Sequence, residues 1–144
     1  MKIVADMNVL FSCFKSDSPK RKLIITSQYV KFYTPSFCIA ELLKHKKEIC
    51  DKARISEEEF SLLLEDLTLF VNVVKEETFK DCAPEALKML SGHAKDAPYV
   101  SLAISLKRSG HTAGIWSNER RLKDLEKHDL KVFNTREMLE LYGN

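Results

Sequence analysis

Short apolar runs alternate with stretches of helical periodicity along almost the whole chain, and this alternation limits the folds open to it most tightly. Residues 2–6 (KIVAD) form the first run, which carries the β-branched pair Ile3 and Val4 and ends at an acid. Similar runs recur at residues 31–34 (KFYT), 71–74 (VNVV), 114–117 (GIWS) and 131–133 (KVF). Brief apolar segments without polar alternation are the pattern of strands covered on both faces. Helical signals lie between them. Residues 8–14 and 20–27 look helical, broken by the polar segment Ser16-Asp17-Ser18-Pro19. Pro35-Ser36 opens a longer helix over residues 37–52, and Ser56-Glu57-Glu58-Glu59 is a capping box that starts another. A helix over residues 84–90 stops at Gly92, and Asp96-Ala97-Pro98 pairs a capping acid with a first-turn proline to begin one that Gly110 ends. Residues 135–141 close the chain as a helix. Strands alternating with helices in this way predict an α/β sandwich around a mostly parallel sheet.

The length of 144 residues predicts one domain over 1–144, with enough chain to bury a core without disulfide or metal staples. Cys13, Cys38, Cys50 and Cys82 show no CxxC or CxxH spacing, which gives a zinc site little support; Cys13, Cys38 and Cys50, among apolar neighbours in helical-looking segments, are expected to be small buried hydrophobes. No run approaches the roughly 18 apolar residues of a membrane span. The amino terminus has no leader pattern, so a reducing cytoplasm is the expected location. Lys and Arg number 23 against 21 Asp and Glu, a net charge of +2, so an argument for nucleic acid must rest on where the charges sit.

In open parallel sheets, ligands bind beyond the carboxyl ends of the strands, where strand order switches. Acids just after strands are therefore the first candidates for chemistry. Asp6 ends the first strand, and Glu119 follows the GIWS strand by two residues. Asp96 stands at a helix start. Glu41 lies in FCIAELL on the face it shares with Phe37 and Cys38, where a carboxylate is costly without a partner; His45 continues that face. Four carboxylates from four elements would repel if they converged. A hard divalent cation such as Mg²⁺ or Mn²⁺ is the simplest way to hold them together, and it suits phosphodiester chemistry.

The segments DMNVL at Asp6, IAEL around Glu41, DAPYVSLAISL from Asp96 and GIWSNERRL ending at Leu122 together resemble the PIN-domain nucleases, including the VapC-type toxins of prokaryotic toxin–antitoxin pairs. The likeness runs from Lys2 to about Phe133. It implies a three-layer α/β/α sandwich and a metal-dependent ribonuclease, acting as a toxin or in RNA processing. It also implies that Asp6, Glu41, Asp96 and Glu119 form the acidic, metal-binding set, with Asn8 orienting Asp6 by hydrogen bonding and Ser117 supporting from the next layer. Partners implied are RNA, a second copy of the chain and, for a toxin, an antitoxin protein. Two departures from the family pattern stand out: Met7 replaces the frequent hydroxyl residue after the first acid, and Glu119 and Arg121 stand where the family more often has a pair of aspartates.

Basic residues cluster at Lys15, Lys20-Arg21-Lys22, Lys44-His45-Lys46-Lys47 and Arg120-Arg121-Lys123. Such runs are usually solvated helix faces, but a basic rim around an acidic centre also fits a polyanion gripped outside and cut inside. Arg120 and Arg121 are the candidate phosphate contacts. Two other functions compete with the nuclease. One is a non-catalytic RNA-binding scaffold of the same fold. The other is a phosphotransferase using Asp6 as nucleophile, disfavoured because Asn8 stands where a second aspartate is wanted.

Overall fold

The computed structural model describes residues 1–143. Its centre is β1 (Lys2–Ala5), in which Ile3, Val4 and Ala5 are fully buried. β1 pairs in parallel with β2 (Lys31–Pro35) on one side and with β4 (Ala113–Trp116) on the other. β3 (Val71–Val74) extends the sheet beyond β2, and β5 (Lys131–Phe133) extends it beyond β4. All pairs are parallel and the order is β3-β2-β1-β4-β5. The chain thus builds one half of the sheet leftward from β1, then returns to build the other half rightward, so strand order switches between β1 and β4.

Right-handed crossovers send the connections of the two halves to opposite faces. On one face lie α1 (Met7–Ser12), α2 (Pro19–Thr26), α3 (Phe37–Lys44), α4 (Lys46–Ala53) and α5 (Glu57–Phe70). On the other lie α6 (Ala83–Leu90) and α7 (Ala97–Arg108), the latter packed across β1, β2 and β4. The closing helix α8 (Thr135–Tyr142) packs against β5 and α2. This is the three-layer α/β/α sandwich implied by the sequence. Among the described residues no helix is long and apolar enough to cross a membrane.

Local chemistry sets most of the boundaries. The capping box at Ser56 is formed, with the Glu59 N–H donating to Ser56 Oγ and the Ser56 N–H donating to Glu59. Asn134 and Glu137 form a second one at the start of α8. α6 ends at Ser91 (φ 44°) and Gly92 (φ 99°), a left-handed pair in which glycine carries no Cβ penalty. Ser36 makes no side-chain cap for α3. Glu76, just after β3, does so instead, accepting from the Phe37 N–H at 3.0 Å and from the Ser36 hydroxyl. The expected helix over residues 37–52 is in fact two, broken at His45, whose backbone leaves the helical region (φ −98°, ψ 17°). The break lets α4 turn toward α5, against which it packs.

All four cysteines are free and buried: Cys13, Cys38 and Cys50 as expected, and Cys82 as well. Trp116 is fully buried, tilted against Phe32 at 5.8 Å, with its indole N–H donating to Thr135 Oγ1 at 3.0 Å. Phe14 stacks on Phe60 at 4.7 Å, clamping the segment after α1 to α5. Phe60 has no exposed surface, so Phe60→Ala should cost about 3–5 kcal/mol. A urea-denaturation midpoint shifted down at unchanged m-value is the expected readout.

Candidate functional site

Because every strand runs the same way, the connections that leave the strands' carboxyl ends share one edge of the sheet. The connection after β1 begins with Asp6, and the connection after β4 contains Ser117 and Glu119. These are the two strands that flank the switch point. Backbone bonds hold both exits in place: the Asp6 N–H donates to Trp116 O at 3.2 Å, and the Ser117 N–H donates to Phe133 O at 3.0 Å. Asp96 arrives from the opposite layer, at the head of α7.

Asp6 is nearly inaccessible, with 6% of its surface exposed. Its Oδ1 accepts from the Val9 N–H at 2.9 Å, which caps α1. Ser117 Oγ accepts from the Glu119 N–H at 3.1 Å, which pins the loop that carries Glu119 and leaves the hydroxyl close to Asp6. Burial pushes the Asp6 carboxyl above its ordinary range. The neighbouring Ser117 hydroxyl and the Val9 N–H oppose this, while the charges of Asp96 and Glu119 add to it.

Asp6, Asp96 and Glu119 line one hollow of about 200 Å³ together with Met7, Asn8, Lys95 and Tyr99. Three of the four expected acids are thus brought to one place. Glu41 is not. Its carboxylate lies 3.4 Å from His45 Nε2 and is about 40% exposed, so the partner anticipated from the sequence is present but the burial is not. Among the described residues no three acid, His or Cys side chains stand close enough to form a finished ion cage.

The supporting residues also differ from expectation. Asn8 lines the hollow, but its side chain makes no hydrogen bond to Asp6 among the described residues; the Val9 N–H holds that carboxyl instead. Arg121 does not stand free for phosphate. Its Nη2 donates to Asp96 Oδ2 at 2.9 Å, and its Nε is buried with no hydrogen-bond partner among the described residues. Arg120 is exposed at the start of the 3₁₀ stretch that follows Glu119. Asp96 occupies the N-cap position of α7 yet makes no side-chain cap bond, its carboxylate being turned to Arg121.

Lys95 and Tyr99 were not anticipated as site residues. Tyr99 sits three residues beyond Asp96 on the same helix, a spacing that places both on one face. Its hydroxyl contacts Cys38 Sγ at 3.5 Å, and burial pushes both groups upward in pKa. A small hollow that holds a carboxyl raised mainly by burial, with two further acids adding to it, suits a hard cation with oxygen ligands, because such an ion would offset both effects.

A sequence model of the family described as PIN domain matches residues 4–142 of this chain. No curated protein matches it.

The raised Asp6 carboxyl fixes the sign of a stability test. A carboxyl whose folded pKa lies above its unfolded value makes the native state lose stability as pH rises through that interval, and the penalty persists above it. Asp6→Asn keeps an oxygen for the Val9 N–H and removes the charge. In EDTA at pH 7 it should be more stable than the parent by about 0.5–2 kcal/mol, the usual gain where function opposes stability. The difference should close as pH falls below the ordinary carboxylate range, measured by urea denaturation across pH.

Proposed function

The chain belongs to the PIN domain family, whose members are in general nucleases that use divalent metals, and from that premise we propose that it is an Mg²⁺- or Mn²⁺-dependent endoribonuclease. The observation that supports this reading most directly is the convergence of Asp6, Asp96 and Glu119, from three separate connections, on one hollow at the switch point of the sheet.

In this reading Asp6, Glu41, Asp96 and Glu119 hold the ion, and Glu41 enters the set by leaving His45. When bound, the cation activates water and neutralises charge on the scissile phosphate. The protein's own groups do the positioning. The Val9 N–H keeps the Asp6 carboxylate in place, and Ser117 Oγ holds the Glu119 loop beside it. Arg121 holds one oxygen of Asp96, which leaves the other for the ion. Arg120, exposed beside Glu119, and Lys95, on the rim, supply positive charge for the flanking phosphates. In-line attack of water on phosphorus leaves a 5′-phosphate and a 3′-hydroxyl.

A second reading, a non-catalytic RNA-binding module, draws on one observation. The Arg121 guanidinium already supplies a positive charge to Asp96. If that ion pair replaces the cation, metal affinity is weak and RNA binding survives in EDTA.

Cleavage of end-labelled single-stranded RNA with Mg²⁺, Mn²⁺ or EDTA separates the two. The wild-type protein should cut only with metal, yielding 5′-phosphate ends. Asp96→Asn should lose more than about 100-fold, since even outer-shell partners of metal ligands are worth 10–100-fold. Full metal-dependent cleavage by Asp6→Asn would sink the nuclease reading, and calorimetric titration with Mn²⁺ showing no binding would favour the scaffold.

A further inference from the structure

A second hollow, of about 410 Å³, opens between α1 and α4 and adjoins the acidic one. Asn8 lines both. His45, in the wall of the second, is the residue that holds Glu41. The floor is apolar: Phe11 meets the His45 ring edge-on at 5.9 Å, and Ile49 is buried beneath. The rim is cationic, with Lys15 from the α1 side and Lys52 from α4, both exposed. The one carboxylate in the wall, Glu48, is already engaged by Lys52 at 3.0 Å and by His45 at 3.3 Å.

We infer that this hollow is a subsite for one unstacked nucleobase of single-stranded RNA, next to the phosphate presented to the acidic hollow. The inference rests on the nuclease reading for its substrate class. A nucleobase needs an apolar or aromatic surface for its ring face, a polar group for its edge and cations for the phosphates on either side. Phe11, His45 and Ile49 supply the first, the Asn8 amide the second, and Lys15 and Lys52 the third. Asn8 stands at the junction, where the sugar–phosphate link from base to scissile phosphate would pass. The position of Asn8 beside Asp6 is then explained by substrate contact rather than by orientation of the acid. A cavity of several hundred Å³ is of the size that takes one small ligand group.

The test is binding without cleavage, so its outcome is separable from that of the nuclease assay. The full chain carrying Asp96→Asn, in EDTA, is titrated into fluorescent single-stranded RNAs of the same length. One is intact, and the others form a panel of separate strands, each with a single abasic site at a different position. Added Phe11→Ala should weaken intact RNA about tenfold, within the range for loss of one stacking contact. It should leave the most weakened abasic strand unchanged, because that strand has no base to lose. Phe11→Tyr should restore binding, and the exposed change Lys52→Glu should weaken intact and abasic RNAs alike and lower the salt slope by about one. Resonances of the His45 ring should shift with intact RNA and not with the best-discriminated abasic strand.

Equal binding of intact and abasic strands by the parent and the Phe11→Ala form would overturn the subsite. So would His45 resonances that respond to protein concentration but not to RNA, which would place a second copy of the chain in the hollow instead. Failure of cleavage by the wild-type protein alongside base-dependent binding would remove the nuclease reading and leave the subsite standing.

Discussion

Everything in this molecule that bears on function follows from the burial of β1 between two parallel neighbours. Ile3, Val4 and Ala5 have no exposed surface, so the strand sits at the middle of the sheet with helices on both faces. An all-parallel sheet must return each connection across a face, and it therefore collects all strand exits on one edge. The exits of β1 and β4 are adjacent there, and no connection of the sheet passes directly between them. Asp6 and Glu119 reach the same place for that reason, not through any attraction between them. Asp96 joins them because α7 crosses β1, β2 and β4 on the layer that the second half of the chain builds.

The acids differ in how their charge is accommodated. Asp96 has Arg121, Glu41 has His45, and Glu76, away from the site, is held below its usual range by the Ser36 and Phe37 donors, which outweigh its burial. Asp6 has only neutral donors, and they do not offset its burial. A carboxyl kept dehydrated at a strand end, with two further acids nearby, opposes stability in the free protein. The same features suit a site whose charge is completed by something that binds. Arg121 complicates this arrangement, because it brings a fixed cation into a place where the family pattern has an acid.

The elements that sequence patterning located well are those whose boundaries are set by neighbouring residues. The capping box at Ser56, the proline-led start of α7 and the glycine stop after α6 all depend on contacts within a few positions. The five short strands were legible because each is a brief, mostly apolar run between helical segments, even though Thr34 and Asn72 interrupt two of them. The helix over 37–52 was not, because its break at His45 satisfies no local rule; it follows from the packing of α4 on α5. The start of α3 at Phe37 was legible from Pro35-Ser36, but its cap was not, since that cap is Glu76, 39 positions beyond Phe37 in a separate connection.

The sequence by itself determined the fold class, the acids worth testing and the residues that depart from the family pattern, because hydrophobic periodicity and local capping are written in adjacent positions. Only the tertiary structure decided which acids meet. Asp6, Asp96 and Glu119 share a hollow, while Glu41 is drawn to His45 by an i, i+4 contact that the helix break leaves half exposed. It also decided that the Val9 N–H rather than Asn8 holds the Asp6 carboxyl, and that Arg121 is paired to Asp96 rather than free. Such choices turn on distances between residues far apart in the chain, and those distances are fixed by strand order and helix packing, which no local pattern encodes.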